Sequence, residues 1–272
     1  MLIYFAIQCH NFQWRLCWQL SSIVEQQGKG TKRGNEHREY AKKYRRLAEL
    51  PQIVVDVACM PNNGHPDTES IATAFQHQGL DVRLTTVKDR ATFGKRGLVR
   101  NLQLDNAYAA HADWIYFADC DHIYAPDYFS KLGYRLRKKY AKCDNVITCP
   151  HKWHTTKPEA DALARLAKSK PFLSNAYERV HALPHTGKRN APIAAGCCQI
   201  IRPDVIWAKN DGLYCTPAQC RDSDMFKKQA ARSDLWFRRR MGGTTTIWDI
   251  PLQIHMDHDR DKEFGYHIEE QR

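Results

Sequence analysis

Short apolar runs alternate along the chain with longer segments in which apolar residues recur at helical spacing. The short runs are rich in β-branched and aromatic residues, as is typical of buried strands. We expect strands at 2–8, 53–58, 82–87 and 114–119. The amphipathic segments predict helices at about 12–27, 67–78, 94–111 and 128–140. Strands that alternate with helices predict an α/β fold with a mostly parallel central sheet and helices on both faces.

Two aspartates follow the most apolar of these strands. Asp119 and Asp121 are separated by one residue, directly after the run that begins at Trp114. Residues i and i+2 of a strand point the same way, so both carboxylates can face one hard cation. The alternative is that the aspartates only end the strand, because Asp often forms hydrogen bonds with its own backbone in turns. The pair alone leaves both interpretations open.

Three basic residues lie at the start of the predicted helix 94–111. Lys95, Arg96 and Arg100 follow the turn at Gly94. The N-terminus of a helix favours anions because its first backbone N–H groups have no partner within the helix. The segment therefore predicts a site for a phosphate group beside the acidic pair.

The rim of the predicted sheet gathers further polar residues. Ligands of open α/β sheets bind beyond the carboxyl ends of the strands. This rule places Gln8, His10, Asp56, Asp119 and Asp121 on one rim. The alternative for Asp56 is a loop carboxylate that binds no ligand.

Several segments carry a family resemblance. They are Arg100-Asn101, the strand and DxD motif from Trp114 to Asp121, Pro126, and the later segments 194–202, 210–214 and 221–226. In these segments the chain resembles the GT-A glycosyltransferases, especially family 2. The resemblance implies a GT-A (Rossmann-like) fold. It also implies transfer of a sugar from a nucleotide-diphosphate sugar to a hydroxyl acceptor, with a UDP-sugar as the first donor to expect.

The resemblance also implies roles for acidic and histidine side chains. Asp119 and Asp121 would form the metal site for Mn²⁺ or Mg²⁺, and a late histidine, His255 or His258, would complete it. In the segment 221–226, Asp222 has the position of the catalytic base of inverting members. It would remove the proton from the acceptor hydroxyl in a single displacement.

The expected nucleotide-sugar site joins the rim to the basic residues of helix 94–111. In the resembled family the residue after the second strand contacts the nucleotide base, and Asp56 has that position. The side chains expected at the nucleotide sugar are Gln8, His10, Asp56, Lys95, Arg96 and Arg100.

Length and composition indicate a single catalytic domain. The chain has 272 residues, of which 43% are hydrophobic, and this is enough to bury a full core. Residues 1–125 would bind the nucleotide sugar and residues 126–272 the acceptor. No apolar run approaches the roughly 20 residues that span a bilayer, so we expect a cytoplasmic protein. The cysteines lie mostly in apolar runs, and we expect them to be reduced.

The charge of the chain is larger than a sugar-nucleotide site requires. The formal net charge is +11, and basic residues cluster at 29–46, 131–142 and 238–240. Such clusters are typical of proteins that bind a polyanion, although solvated helix faces have the same composition. The residues expected to contact nucleic acid are Lys42, Lys43, Arg45, Arg46, Arg135, Lys138 and Lys139.

These clusters bear on the acceptor. We expect a hydroxymethylated base in DNA, reached in a groove or by base flipping. A cell-envelope glycan or a lipid carrier is the rival acceptor. An interpretation from another class is a nucleic-acid-binding protein on a degenerate transferase scaffold, which the intact Asp119, Asp121 and Asp222 oppose. The sequence leaves the sugar and the oligomeric state open.

Overall fold

The computed structural model describes residues 1–9, 13–27, 50–60, 68–190, 198–220, 231–250 and 253–256. Its strands are β1 (Leu2–Gln8), β2 (Gln52–Cys59), β3 (Asp81–Thr86), β4 (Trp114–Asp119), β5 (His122–Tyr124), β6 (Val146–Thr148), β7 (His151–Thr155), β8 (His185–Asn190), β9 (Cys198–Ile201), β10 (Thr244–Thr246) and β11 (Gln253–His255). The four predicted strands are confirmed as β1 to β4, with ends that differ by one residue.

The described helices are α1 (Gln13–Gln26), α2 (Thr68–His77), α3 (Arg90–Phe93), α4 (Arg96–Ala109), α5 (Tyr128–Lys138), α6 (Lys157–Ser169), α7 (Ala176–His181), α8 (Pro203–Asn210), α9 (Pro217–Cys220) and α10 (Ala231–Arg240). The helix predicted at 94–111 is α4, and the one-turn helix α3 precedes it. Asp89 starts α3, because its carboxylate accepts hydrogen bonds from the backbone N–H groups of Ala91 and Thr92.

The main sheet has seven strands in the order β10-β6-β9-β4-β1-β2-β3. All neighbouring pairs are parallel except the two pairs that β9 makes with β4 and β6. The predicted α/β fold with a mostly parallel sheet is confirmed. A smaller sheet of four strands has the order β5-β11-β7-β8, and it begins directly after the acidic pair.

The alternation of side chains along β1 divides the core into two layers. Ile3, Phe5 and Ile7 pack in one buried cluster with α1, α2 and α5. Tyr4 and Ala6 face the opposite side and pack with α4, α8 and α10. Helices therefore cover both faces of the sheet, as the sequence predicts.

Two further findings concern membrane-spanning helices and the state of the cysteines. Among the described residues, no helix combines the length and the apolar character needed to cross a bilayer. Cys9, Cys17, Cys120 and Cys149 carry thiols, in line with the expected reduced state. Cys215 differs from that expectation, because it is disulfide-bonded.

Candidate active site

The acidic pair lies in a turn at the carboxyl edge of the main sheet. Asp119 is the last residue of β4 and is paired in register with Gln8, the last residue of β1. Two hydrogen bonds fix the backbone of the turn. Gln19 on α1 donates from its Nε2 to the backbone oxygen of Asp119 at 2.7 Å. The backbone N–H of Met256 donates to the backbone oxygen of Asp121 at 2.9 Å. The two carboxylates are therefore held on a fixed backbone.

The carboxylate of Asp121 lies between two imidazole rings. Its Oδ2 is 3.2 Å from Nε2 of His255, and its Oδ1 is 2.9 Å from Nδ1 of His122. His122 and His255 are register partners on β5 and β11, which brings their ring centroids within 5.0 Å. Burial, with a smaller effect from Lys152, lowers the pKa of His122 to about 4. The His122 ring is therefore neutral at neutral pH.

These residues fit a metal ion that takes part of its ligands from a substrate. Asp121 offers a carboxylate that is 4% exposed, and His255 offers an imidazole nitrogen beside it. Within the described part of the chain, no group of three or more His, Cys, Asp or Glu side chains is arranged to hold a metal. Mg²⁺ and related ions are commonly bound by one or two carboxylates together with substrate phosphates, so two protein ligands suffice.

Arg96 connects the acidic pair to the N-terminus of α4. Its Nη2 lies 3.3 Å from Oδ1 of Asp119, and its Nη1 lies 3.5 Å from Oδ2 of Asp234 on α10. Burial is the largest single effect and by itself would raise the pKa of Asp119, but Arg96, His122 and Arg100 together make the net shift downward. Asp119 is therefore a carboxylate that already has a cationic partner.

Arg100 lies one turn further along α4 and is buried. Its Nη1 donates to Oδ1 of Asp234 at 2.6 Å, to Oε1 of Gln199 at 3.2 Å and to the hydroxyl of Tyr214. Its guanidinium carbon is 4.8 Å from the ring centroid of Tyr214, and the side chain is 3% exposed. Of the basic residues expected at the phosphates, Arg96 reaches the rim, whereas Arg100 is part of the packed interior.

The position expected for Asp56 is wrong. Asp56 lies inside β2, which continues to Cys59, and it is fully buried. Its carboxylate accepts hydrogen bonds from Tyr4 at 3.0 Å, Thr85 at 2.7 Å and Asn106 at 3.1 Å. Burial raises the pKa of Asp56, and these hydrogen bonds offset only part of the effect. Asp56 therefore lies in the interior of the sheet with its oxygens engaged by buried donors, and its contact with a nucleotide base stays a prediction of the family resemblance.

The remaining predicted residues divide into two groups. Gln8 lies at the rim, where its Nε2 donates to the backbone oxygen of Phe93 at 2.8 Å, and Lys95 precedes α4. The other predicted residues lie outside the described residues, namely His10, Lys42, Lys43, Arg45, Arg46, Asp222 and His258.

The basic residues of α5 lie away from the acidic pair. Arg135 pairs with Asp249, and Lys138 and Lys139 are exposed at the end of the helix. Leu136 and Arg137 line the same cavity as Trp114, the first residue of β4. At about 3.3 Å per residue, that end of β4 is about 17 Å from Asp119. The exposed lysines of α5 therefore lie near the amino ends of the parallel strands, whereas the candidate site lies at their carboxyl ends.

Comparisons with known proteins address the fold. No protein family and no curated protein matches the sequence. A solved structure of GalNAc-T7 with UDP, GalNAc and Mn²⁺ matches 95% of this chain with a TM-score of 0.54 and 12% identity. The chain has the GT-A fold. A mannosyltransferase, PcManGT from Pyrobaculum calidifontis, in complex with GDP-Man and Mn²⁺, matches 97% of the chain with a TM-score of 0.46 and 13% identity.

The chain covers only part of each of these solved structures. The chain spans 44% of the length of the GalNAc-T7 structure and 58% of that of PcManGT. At such identities the likeness concerns the GT-A fold alone.

Gln19 and Asp234 are among the residues at the site that were not expected from the sequence. Gln19 lies within a helix pattern, and nothing in the pattern indicates that its amide reaches the backbone of Asp119. Asp234 precedes the run Arg238–Arg240, which is typical of a solvated ion-pair face. In the GT-A sheet it instead contacts Arg96 and Arg100, which are more than 130 positions away in sequence.

Proposed function

We propose that the protein is a metal-dependent glycosyltransferase that moves a sugar from a nucleotide-diphosphate sugar to a hydroxyl acceptor. One observation carries the proposal. Asp119 and Asp121 lie at the carboxyl edge of a GT-A sheet, and Nε2 of His255 is 3.2 Å from the carboxylate of Asp121. Ligands of such sheets bind at this edge, and the residues found there are those that a divalent metal and a diphosphate require.

Asp121 and His255 are the residues that would hold Mn²⁺ or Mg²⁺, with Asp119 beside them. Such an ion supplies positive charge that stabilises a departing nucleoside diphosphate. Arg96 lies 3.3 Å from Asp119 and can donate charge-assisted hydrogen bonds to the same phosphates. Gln8 lies on the rim and Lys95 directly precedes α4, and both are proposed to contact the nucleotide. A UDP-sugar remains the first donor to test.

The general base removes the proton from the acceptor hydroxyl, and the sequence assigns this role to Asp222. A carboxylate in that role removes the hydroxyl proton as the oxygen attacks the anomeric carbon, and the configuration inverts. Asp119 and Asp234, the described carboxylates beside Arg96, are poorly suited to this role. Arg96 contacts both Asp119 and Asp234, and a carboxylate that neutralises a guanidinium is a poor base.

For the acceptor we keep hydroxymethylated duplex DNA as the first candidate, because of the net charge of +11. Among the described basic residues expected to contact DNA, Lys138 and Lys139 lie at the end of the sheet opposite to Asp119. A glycan or lipid-linked acceptor is the rival, and it needs no basic surface.

The test is hydrolysis of nucleotide sugars by the purified protein, with Mn²⁺ or with EDTA, and with or without hydroxymethylated duplex DNA. We expect turnover of at least one donor that requires the metal. Turnover that also rises with DNA would support DNA as the acceptor, and turnover indifferent to DNA would direct the search to glycans. Absence of turnover with every donor would contradict the transferase and favour a binding protein on this scaffold.

A further inference from the structure

Asp234 lies between two arginines of α4. Its Oδ1 accepts a hydrogen bond from Arg100 at 2.6 Å, and its Oδ2 is 3.5 Å from Nη1 of Arg96. Arg96 and Arg100 are four residues apart and therefore share one face of the helix, where like charges repel. The carboxylate between them allows both guanidinium groups to face the same side.

The side chain of Asp234 is fixed from the interior. It is 11% exposed, and Oδ1 also accepts a hydrogen bond from the hydroxyl of Tyr214 at 2.6 Å. The ring of Tyr214 is stacked on Phe237, one turn further along α10, with centroids 4.1 Å apart. Asp234 is therefore a negative charge whose position is set by the core rather than by solvent.

Arg96 connects Asp234 to the rim, because its guanidinium contacts both Asp234 and Asp119. Its side chain is 16% exposed, and the nitrogen that does not face Asp234 lies 3.3 Å from Asp119. An arginine without a fixed partner would sample several rotamers and would lose that freedom when a ligand binds. With Asp234 as an anchor, the guanidinium is already directed to the place where a diphosphate would bind.

We propose that Asp234 is a positioning residue for the diphosphate of the donor, acting through Arg96. The inference rests on the proposed function, since it assumes that a nucleoside diphosphate binds at Asp119 and Asp121. It assigns to Asp234 neither contact with the substrate nor transfer of a proton.

The experiment is a double-mutant cycle on nucleotide affinity. Calorimetry with UDP, GDP, CDP and dTDP in the presence of Mn²⁺ would be applied to the wild type, Asp234→Asn, Arg96→Gln and the double variant. We expect each single substitution to weaken binding by about tenfold, the size of one hydrogen bond to a charged group. The double variant should bind no more weakly than Arg96→Gln, because Asp234 acts through that side chain.

A matched control is Asp204→Asn. Asp204 is a carboxylate paired with Arg202 at the opposite edge of the sheet, where both line the cavity beside Trp114. The substitution Asp204→Asn should leave the nucleotide affinity unchanged. Thermal unfolding of each variant separates a loss of binding from a loss of fold. Should Asp234→Asn not fold, Asp234→Glu keeps a charge for Arg100 but displaces it by one methylene, and it should weaken binding in the same Arg96-dependent way.

Three results would overturn the inference. If the wild type binds a nucleotide and the effects of Asp234→Asn and Arg96→Gln simply add, Asp234 does not act through Arg96, while the proposed function stands. The same holds if Asp234→Asn folds and binds as well as the wild type. If the wild type binds none of the four nucleotides, the proposed function fails and the inference fails with it.

Discussion

Nε2 of His255 lies 3.2 Å from Oδ2 of Asp121, although 134 positions separate the two residues in sequence. The antiparallel pairing of β5 with β11 causes this proximity, because it aligns His255 with His122, the neighbour of Asp121. The pairing thus joins the end of the central sheet to the last described strand. A carboxylate and an imidazole are the two protein ligands that the proposed divalent-metal site would use.

The first prediction concerns this pair. His255→Ala should weaken binding of Mn²⁺ in the presence of UDP by at least about tenfold, because a nitrogen ligand is lost while the carboxylate of Asp121 remains. Isothermal titration of Mn²⁺ would measure the change. His181→Ala is the matched control, since His181 is an exposed histidine on α7 whose ring stacks on Trp153. Unchanged Mn²⁺ affinity of His255→Ala would remove His255 from the metal site.

The sequence predicts this part of the molecule well because the signals are local. The apolar run of β4, the spacing of Asp119 and Asp121 and the glycine before α4 each occupy a few consecutive residues. The choice between His255 and His258 as the metal ligand could not be made from the sequence, because it depends on strand register. The structure describes His255 but not His258, so it supports His255 only by its own position.

The interior polar groups could not be predicted for the same reason. Asp56 lies in a strand pattern, and its expected position at the rim rests on the rule that ligands bind beyond the carboxyl ends of the strands. Its real environment is formed by Tyr4, Thr85 and Asn106, which are 52, 29 and 50 positions away. No local pattern records such contacts.

The second prediction follows from the burial of Asp56. Its raised pKa means that the folded state favours the protonated carboxyl, so this contribution to stability is complete below the unfolded pKa of about 4. It is lost as the pH rises through the raised pKa of the folded state. Asp56→Asn, which cannot ionise, should therefore show a smaller fall in the free energy of unfolding between pH 4 and pH 7 than the wild type.

Urea unfolding at a series of pH values would measure this difference. The same variant also tests the correction to the site. Because Asp56 is fully buried within β2, Asp56→Asn should retain the wild-type affinity for UDP in the presence of Mn²⁺. A folded Asp56→Asn that has lost nucleotide binding would restore the role expected from the sequence.

The third prediction concerns the buried ion pair of Arg100 and Asp234. Arg100→Leu removes one partner and leaves the carboxylate of Asp234 without its closest cation, 2.6 Å away in the wild type. Breaking a buried pair in this way costs about 3–5 kcal/mol of unfolding free energy. Urea denaturation should show this loss, whereas Arg96→Gln, with a more exposed side chain and a longer contact of 3.5 Å, should cost much less. Equal losses in the two variants would contradict the division of roles between the two arginines.

The last prediction addresses the basic surface of α5. Lys138 and Lys139 are exposed, so the double substitution Lys138→Glu with Lys139→Glu should weaken association with duplex DNA and lower its salt dependence. Each phosphate contact contributes about one unit to the slope of log K against log salt. Lys168→Glu with Lys170→Glu is the matched control, because these exposed lysines on and after α6 lie outside the basic clusters. If both pairs reduce binding equally, the attraction is a property of the net charge of +11, and α5 is not a DNA-binding surface.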